Sequence, residues 1–88
     1  MNIYQRVGDD WHSLNLRIRA IQIKFFPFDS EHQIKLEYSG DLSDIEYPIE
    51  YRIELFEGSY GYFSPESLEY NDNDEKITVV GHVLYETE

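Results

Sequence analysis

The chain contains no cysteine, which removes disulfides, thiolate metal ligands and thiol nucleophiles together. Redox chemistry is therefore not expected, and the absence fits a reducing compartment. No stretch approaches the roughly 18 to 20 apolar residues that span a membrane. The opening, MNIYQRVGDDWHSL, lacks the apolar core of a secretory leader, so the expected location is cytoplasmic. Positive charge is scarce as well. Seven Lys and Arg stand against eighteen Asp and Glu, for a net charge of -11.

That imbalance is local. Residues 1–36 carry five basic and four acidic side chains, whereas residues 37–88 carry fourteen acidic side chains against only Arg52 and Lys76. A field of this sign repels nucleic acid and anionic membranes and speeds encounter with basic partners. Direct nucleic-acid binding and membrane binding are therefore not expected. The charge does not signal disorder, because 41% of the residues are hydrophobic and 16% aromatic, enough for 88 residues to form one core. A single domain over residues 1–88 is expected.

Side chains alternate across a strand with period 2 and recur on a helix face with period 3.6, and period 2 dominates here. In LNLRIRAIQIKF, Leu14, Leu16, Ile18 and Ala20 share one phase and Ile21, Ile23 and Phe25 the other. A β-bulge or bend near Ala20 and Ile21 would let both sets face the core. Pro27, Asp29 and Ser30 mark a loop, and QIKLEY alternates Ile34, Leu36 and Tyr38 with polar residues, so a second strand follows.

The stretch SDIEYPIEYRIELFEG places Ile45, Tyr47, Ile49, Tyr51, Ile53 and Leu55 on one face of a strand and Glu46, Glu50 and Glu54 on the other. Pro48 cannot donate to a ladder, which predicts an edge strand. A short strand over Tyr60 to Phe63 and one helical turn at Ser64–Pro65 come next, then the polar loop NDNDEK. A final strand carries Ile77, Val79, Val83 and Tyr85 in one phase, with Gly81 at a bulge or a close backbone approach. A short strand before the Gly8–Asp10 turn completes the set. The fold class is all-β, mainly antiparallel: a five- or six-stranded meander forming a small barrel or strongly twisted sheet, with at most one short helical turn.

No motif names an activity. A calcium loop started at Asp72 needs Gly at its sixth position and Glu at its twelfth, where Ile77 and Val83 stand. His12, His32 and His82 have no ligand spacing, the serines sit in no nucleophile-elbow pattern, and GSYG lacks the Lys of a phosphate loop. Neither an enzyme nor a cofactor is expected.

The carboxylates are the lead. Glu46, Glu50 and Glu54 would stand roughly 13 Å apart along a strand, cheap to display and spaced to meet Lys and Arg along a groove. The plainer alternative pairs them with Arg17, Arg19 or Lys24 on a neighbouring strand. Asp41, Asp44, Glu57, Asp72, Asp74 and Glu75 fall in loops or at strand ends and would widen the negative surface. Tyr60 and Tyr62 are candidate contact anchors, the alternative being rings that cap the core.

The expected function is a small acidic inhibitor of a basic, nucleic-acid-acting protein. An immunity protein against a nuclease toxin comes first, ahead of a phage-encoded inhibitor of a host defence enzyme. A monomer is favoured over a homodimer. Two alternatives are a structural subunit that self-associates through an edge strand and a barrel that holds a small molecule.

Overall fold

The computed structural model describes residues 1–24, 31–45, 50–56 and 59–87, and most of them lie in antiparallel strands. In chain order these are β1 (Asn2–Val7), β2 (Asp10–Ser13), β3 (Ile18–Lys24), β4 (Glu31–Ser39), β5 (Tyr51–Phe56), β6 (Ser59–Phe63), β7 (Ser67–Asn71) and β8 (Lys76–Thr87). One 3-10 turn, Leu42–Ile45, joins β4 to the segment before β5. Consecutive strands form four hairpins, and the hairpins combine out of sequence in the order β2-β1-β5-β6-β8-β4-β3, with β7 also on β8.

The long β8 explains this branching. Its first residues pair with β7 and its last residues with β6, while β4 pairs along the other side from Lys76 to Leu84. Two four-stranded sheets result, β2-β1-β5-β6 and β7-β8-β4-β3, continuous where Tyr62 of β6 meets Leu84 of β8. Their inner faces close on one core. Ile3, Tyr51, Ile53 and Phe63 come from one sheet, and Ile34, Leu36, Tyr38, Ile77, Val79 and Val83 from the other. Tyr38 and Tyr51 join hydroxyls at 2.8 Å across the seam, although β6 and β8 lie between their strands in the sheet order.

All-β antiparallel structure is as the alternation predicts, and so is the bulge, which shifts the β3–β4 register between Ile18 and Ala20. Ile18, Ile21 and Ile23 all pack on the core as a result. Other expectations are corrected. Among the described residues there are eight strands rather than five or six, they do not run as a simple meander, and β2, β3 and β7 remain at open edges, so no barrel closes there.

The strand expected from Leu14 begins only at Ile18, because residues 14–17 turn, with Arg17 N donating to Leu14 O at 2.8 Å. Leu14 is buried, whereas Leu16, in phase with it, is fully exposed at 103%. No helical turn forms at Ser64–Pro65. The chain there has no regular structure and bends at Glu66, whose N–H donates to Val80 O at 2.8 Å just before β7. Ile45 belongs to the 3-10 turn, not to a strand. Pro48 lies outside the described residues, and the strand it was expected to place at an edge is interior, with β1 on one side of β5 and β6 on the other.

Gly81 is a close backbone approach. A Cβ there would lie 2.8 Å from Phe63 Cδ2 and 3.1 Å from the Ser64 carbonyl oxygen. Gly81→Ala is therefore expected to destabilise the fold by about 1–3 kcal/mol through overpacking, read as a lower urea midpoint with an unchanged slope.

Candidate functional site

Four free carboxylates, Asp41, Asp72, Asp74 and Glu75, stand together where the β7–β8 turn meets the link between β4 and the 3-10 turn; Asp9 and Asp10 at the β1–β2 turn and Glu69 on β7 are also exposed and have no ion-pair partner among the described residues. Asn71 begins the β7–β8 turn by accepting from the backbone N–H groups of Asn73 at 3.0 Å and Asp74 at 3.3 Å. Glu75 closes it in the left-handed region, at φ 50°. Short polar side chains that bond their own backbone are suited to such a turn. Gly40 N then donates to Glu75 O at 2.9 Å and locks the two loops together. A Cβ there would lie 2.7 Å from both Arg17 Nη2 and Ile77 Cδ1, so any larger residue would push these side-chain ends, and with them the Arg17 contacts, out of place.

Two arginines brace this end from beneath. Arg17 donates to Ser39 O at 2.8 Å and to the Asp44 carboxylate at 2.9 Å, and its guanidinium lies 5.4 Å from the Tyr38 ring centroid. Arg19 bonds Ser39 Oγ at 2.8 Å and the Asp74 carbonyl oxygen at 2.6 Å. Asp44 is thereby consumed internally: its carboxylate also accepts from Asp41 N at 2.9 Å, and its carbonyl accepts from Gln5.

The remaining acids face outward. Asp41, Asp72, Asp74 and Glu75 are exposed, and among the described residues none has a Lys or Arg within ion-pair distance. The Ser43 hydroxyl and N–H donate to the Asp41 carboxylate and hold its pKa below the usual value. Tyr70 is half-buried among these groups. Desolvation first, then the charges of Glu75, Asp41 and Asp72, push its phenol up. Three carboxylates from two loops thus act on one phenol. Tyr70 was not singled out from the sequence, although its alternation with Leu68 was the available signal.

The other expected site residues lie elsewhere. Glu50 pairs with Arg6 and Glu54 with Arg52, each at 3.7 Å, and Asn2 Nδ2 donates to Glu54 at 3.3 Å. The partners are therefore not Arg17, Arg19 or Lys24. Glu46 and Glu57 lie outside the described residues. Tyr60 and Tyr62 point away from the core on the outer face of β6, Tyr62 being 46% exposed. The Arg52 guanidinium lies 4.3 Å from the Tyr60 ring centroid and 5.6 Å from that of Tyr4, and the Trp11 and Tyr62 rings meet at 5.8 Å.

Hence five of the expected residues, Asp41, Asp44, Asp72, Asp74 and Glu75, are brought together at one end. Glu50, Glu54, Tyr60 and Tyr62 form a separate, largely charge-paired aromatic face. Among the described residues, no three His, Asp or Glu side chains are placed to hold a metal ion, and no helix is long and apolar enough to cross a membrane. The chain matches no family model, no curated protein and no solved structure.

Proposed function

We propose that the protein is a small acidic inhibitor that binds a basic, nucleic-acid-acting partner and covers the surface where that partner holds phosphates. An immunity protein against a nuclease toxin is the first form of this reading and a phage-encoded inhibitor of a defence enzyme the second. The observation that carries it is the set of four exposed carboxylates, Asp41, Asp72, Asp74 and Glu75, left without cations on two loops bonded to each other. Loops braced by arginines keep such charges in fixed positions, so little ordering is needed when a partner arrives.

Glu50 and Glu54 are already neutralised by Arg6 and Arg52, so the loop acids take the steering role and the glutamate strand does not. The open edges support a monomer. β2 has four residues and β7 five, too short to template a long pairing, and the longer β3 carries Arg19 and Lys24.

The test is capture of the partner from extracts of the encoding organism on the immobilised protein, followed by its identification and an assay of its activity. The expected partner has a high isoelectric point, acts on nucleic acid and loses activity on binding. Asp41→Asn, Asp72→Asn, Asp74→Asn and Glu75→Gln together should lower the on-rate about tenfold at low salt and flatten its salt dependence. Glu50→Gln with Glu54→Gln should leave it nearly unchanged. A neutral or acidic partner, or an on-rate indifferent to the four loop substitutions, would overturn the reading.

A further inference from the structure

All three lysines of this acidic chain lie on the outer face of one sheet. Lys24 is on β3, Lys35 on β4 and Lys76 at the start of β8. Five of the seven cationic side chains are engaged: Arg6, Arg17 and Arg52 by carboxylates, Arg19 by Ser39 and the Asp74 carbonyl, and Lys76 by Glu37 at 3.5 Å. The two left over are Lys24 and Lys35. They are neighbours, because Lys24 pairs with Gln33 and Gln22 with Lys35, which makes the two lysines diagonal across adjacent strands. Such diagonal positions lie about 7–8 Å apart.

Among the described residues no carboxylate comes within ion-pair distance of either one. Glu37, two residues along β4 from Lys35, is drawn instead to Lys76. The two ammonium groups therefore stand side by side without an internal counter-charge in a chain whose net charge is -11.

The face is also concave there. A hollow of about 250 Å³ is lined by Gln22, Lys24, Gln33, Lys35 and Val80. Lys35 also borders a smaller hollow over Ala20 and Ile21 and the larger groove that runs toward Tyr70. The lining offers two ammonium groups and two carboxamides, donors that converge from two hydrogen-bonded strands, over the apolar Val80. The acidic loops lie at the other end of this groove. The Debye length is about 8 Å at physiological salt, so charges beyond the hollow are largely screened and its own lysines decide what binds.

We propose that this hollow is a binding site for a small oxyanion, a phosphate or carboxylate group, held between the Lys24 and Lys35 ammonium groups with Gln22 and Gln33 as supporting donors. The site is independent of the inhibitor reading, since it lies on a different part of the surface and takes a ligand of opposite charge.

The experiment is titration of the isotope-labelled full chain, followed by amide NMR, with inorganic phosphate and separately with citrate, each against sodium chloride at matched ionic strength. Saturable shifts confined to Gln22, Lys24, Gln33, Lys35 and Val80 are expected in at least one arm, and the arm that saturates at lower concentration identifies phosphate or carboxylate. Lys24→Gln with Lys35→Gln should weaken that binding at least tenfold while leaving the thermal midpoint in place, because both side chains are exposed. Three outcomes would overturn the proposal. One is shifts that never saturate or match those in chloride, the mark of an adventitious ion only. The second is saturation that survives in the double variant. The third is concentration-dependent shifts without added anion, which would assign the hollow to the acidic end of a second copy.

Discussion

Leu36→Ala is expected to remove about 2–5 kcal/mol of folding free energy. Leu36 is fully buried at the middle of β4, paired with Ile21 of β3 on one side and Val79 of β8 on the other. Its neighbours are held by ladders on both flanks, so they cannot collapse into the space that the missing atoms leave. The cost therefore includes a cavity as well as lost transfer free energy. A domain of this length is typically stable by about 4–13 kcal/mol in all, so one such truncation takes a large fraction of it. Urea unfolding should show the midpoint falling steeply, while Leu16→Ala, at a fully exposed position, stays within about 0.5 kcal/mol of wild type. A Leu36→Ala loss below about 1 kcal/mol would mean that the two sheets do not close on β4 as described.

The contrast between Leu36 and Leu16 also marks how far local patterning reaches. Leu36 alternates with Ile34 and Tyr38 in a strand whose neighbours on both sides are paired, so its inward phase is enforced and readable. The bulge after Ile18 and the tight packing at Gly81 were legible for the same reason: each is a break in a strong alternation, and each break has one cheap structural answer.

Leu16 shares the phase of Leu14 but sits in a turn. Nothing in the alternation distinguishes the two, because the decision is made by Arg17, whose backbone and guanidinium bond Ser39 far along the chain. The edge strands β2 and β7 were hidden because DWHS and SLEYN offer one or two apolar residues each, and an edge needs no more. Pro48 misled because its missing donor describes one residue, whereas the interior position of β5 is set by β1 and β6, pairings that no local window contains.

The acidic site was half legible. The surplus of carboxylates in residues 37–88 was plain, but which of them stay free depends on where Arg6, Arg17, Arg52 and Lys76 arrive after folding. Glu50 and Glu54 looked free on their strand and are paired. Asp72, Asp74 and Glu75 looked like an ordinary polar loop, and they are left uncompensated together with Asp41.

Alkaline pH should destabilise this protein, and the Tyr38–Tyr51 pair is the reason. Desolvation by burial is the first cause that raises both phenols above the ordinary value; the neighbouring Tyr38 adds to it for Tyr51, whereas for Tyr38 the hydrogen bond with Tyr51 and then the Arg17 charge oppose it only in part. In the unfolded chain each titrates near about pH 10. A group whose folded pKa is raised contributes its full stability below the unfolded value and loses it as pH climbs toward the folded one. The unfolded state therefore gains roughly 1.4 kcal/mol for each tyrosine that remains neutral in the fold at one pH unit above 10.

Urea unfolding at about pH 7, 10 and 11 should follow that decline. Tyr38→Phe should cost about 1–3 kcal/mol at neutral pH, because it strands the buried Tyr51 hydroxyl, yet it should also shallow the alkaline loss. Tyr38→Phe with Tyr51→Phe should recover part of the neutral cost and flatten the profile further. The pair lies directly under the Arg17–Asp44 contact that braces the acidic loops, so loosening the seam should also release the geometry on which the carboxylate end depends. A wild-type stability that stays level between about pH 9 and pH 11 would mean that these phenols ionise in place, and that water reaches the seam between the two sheets.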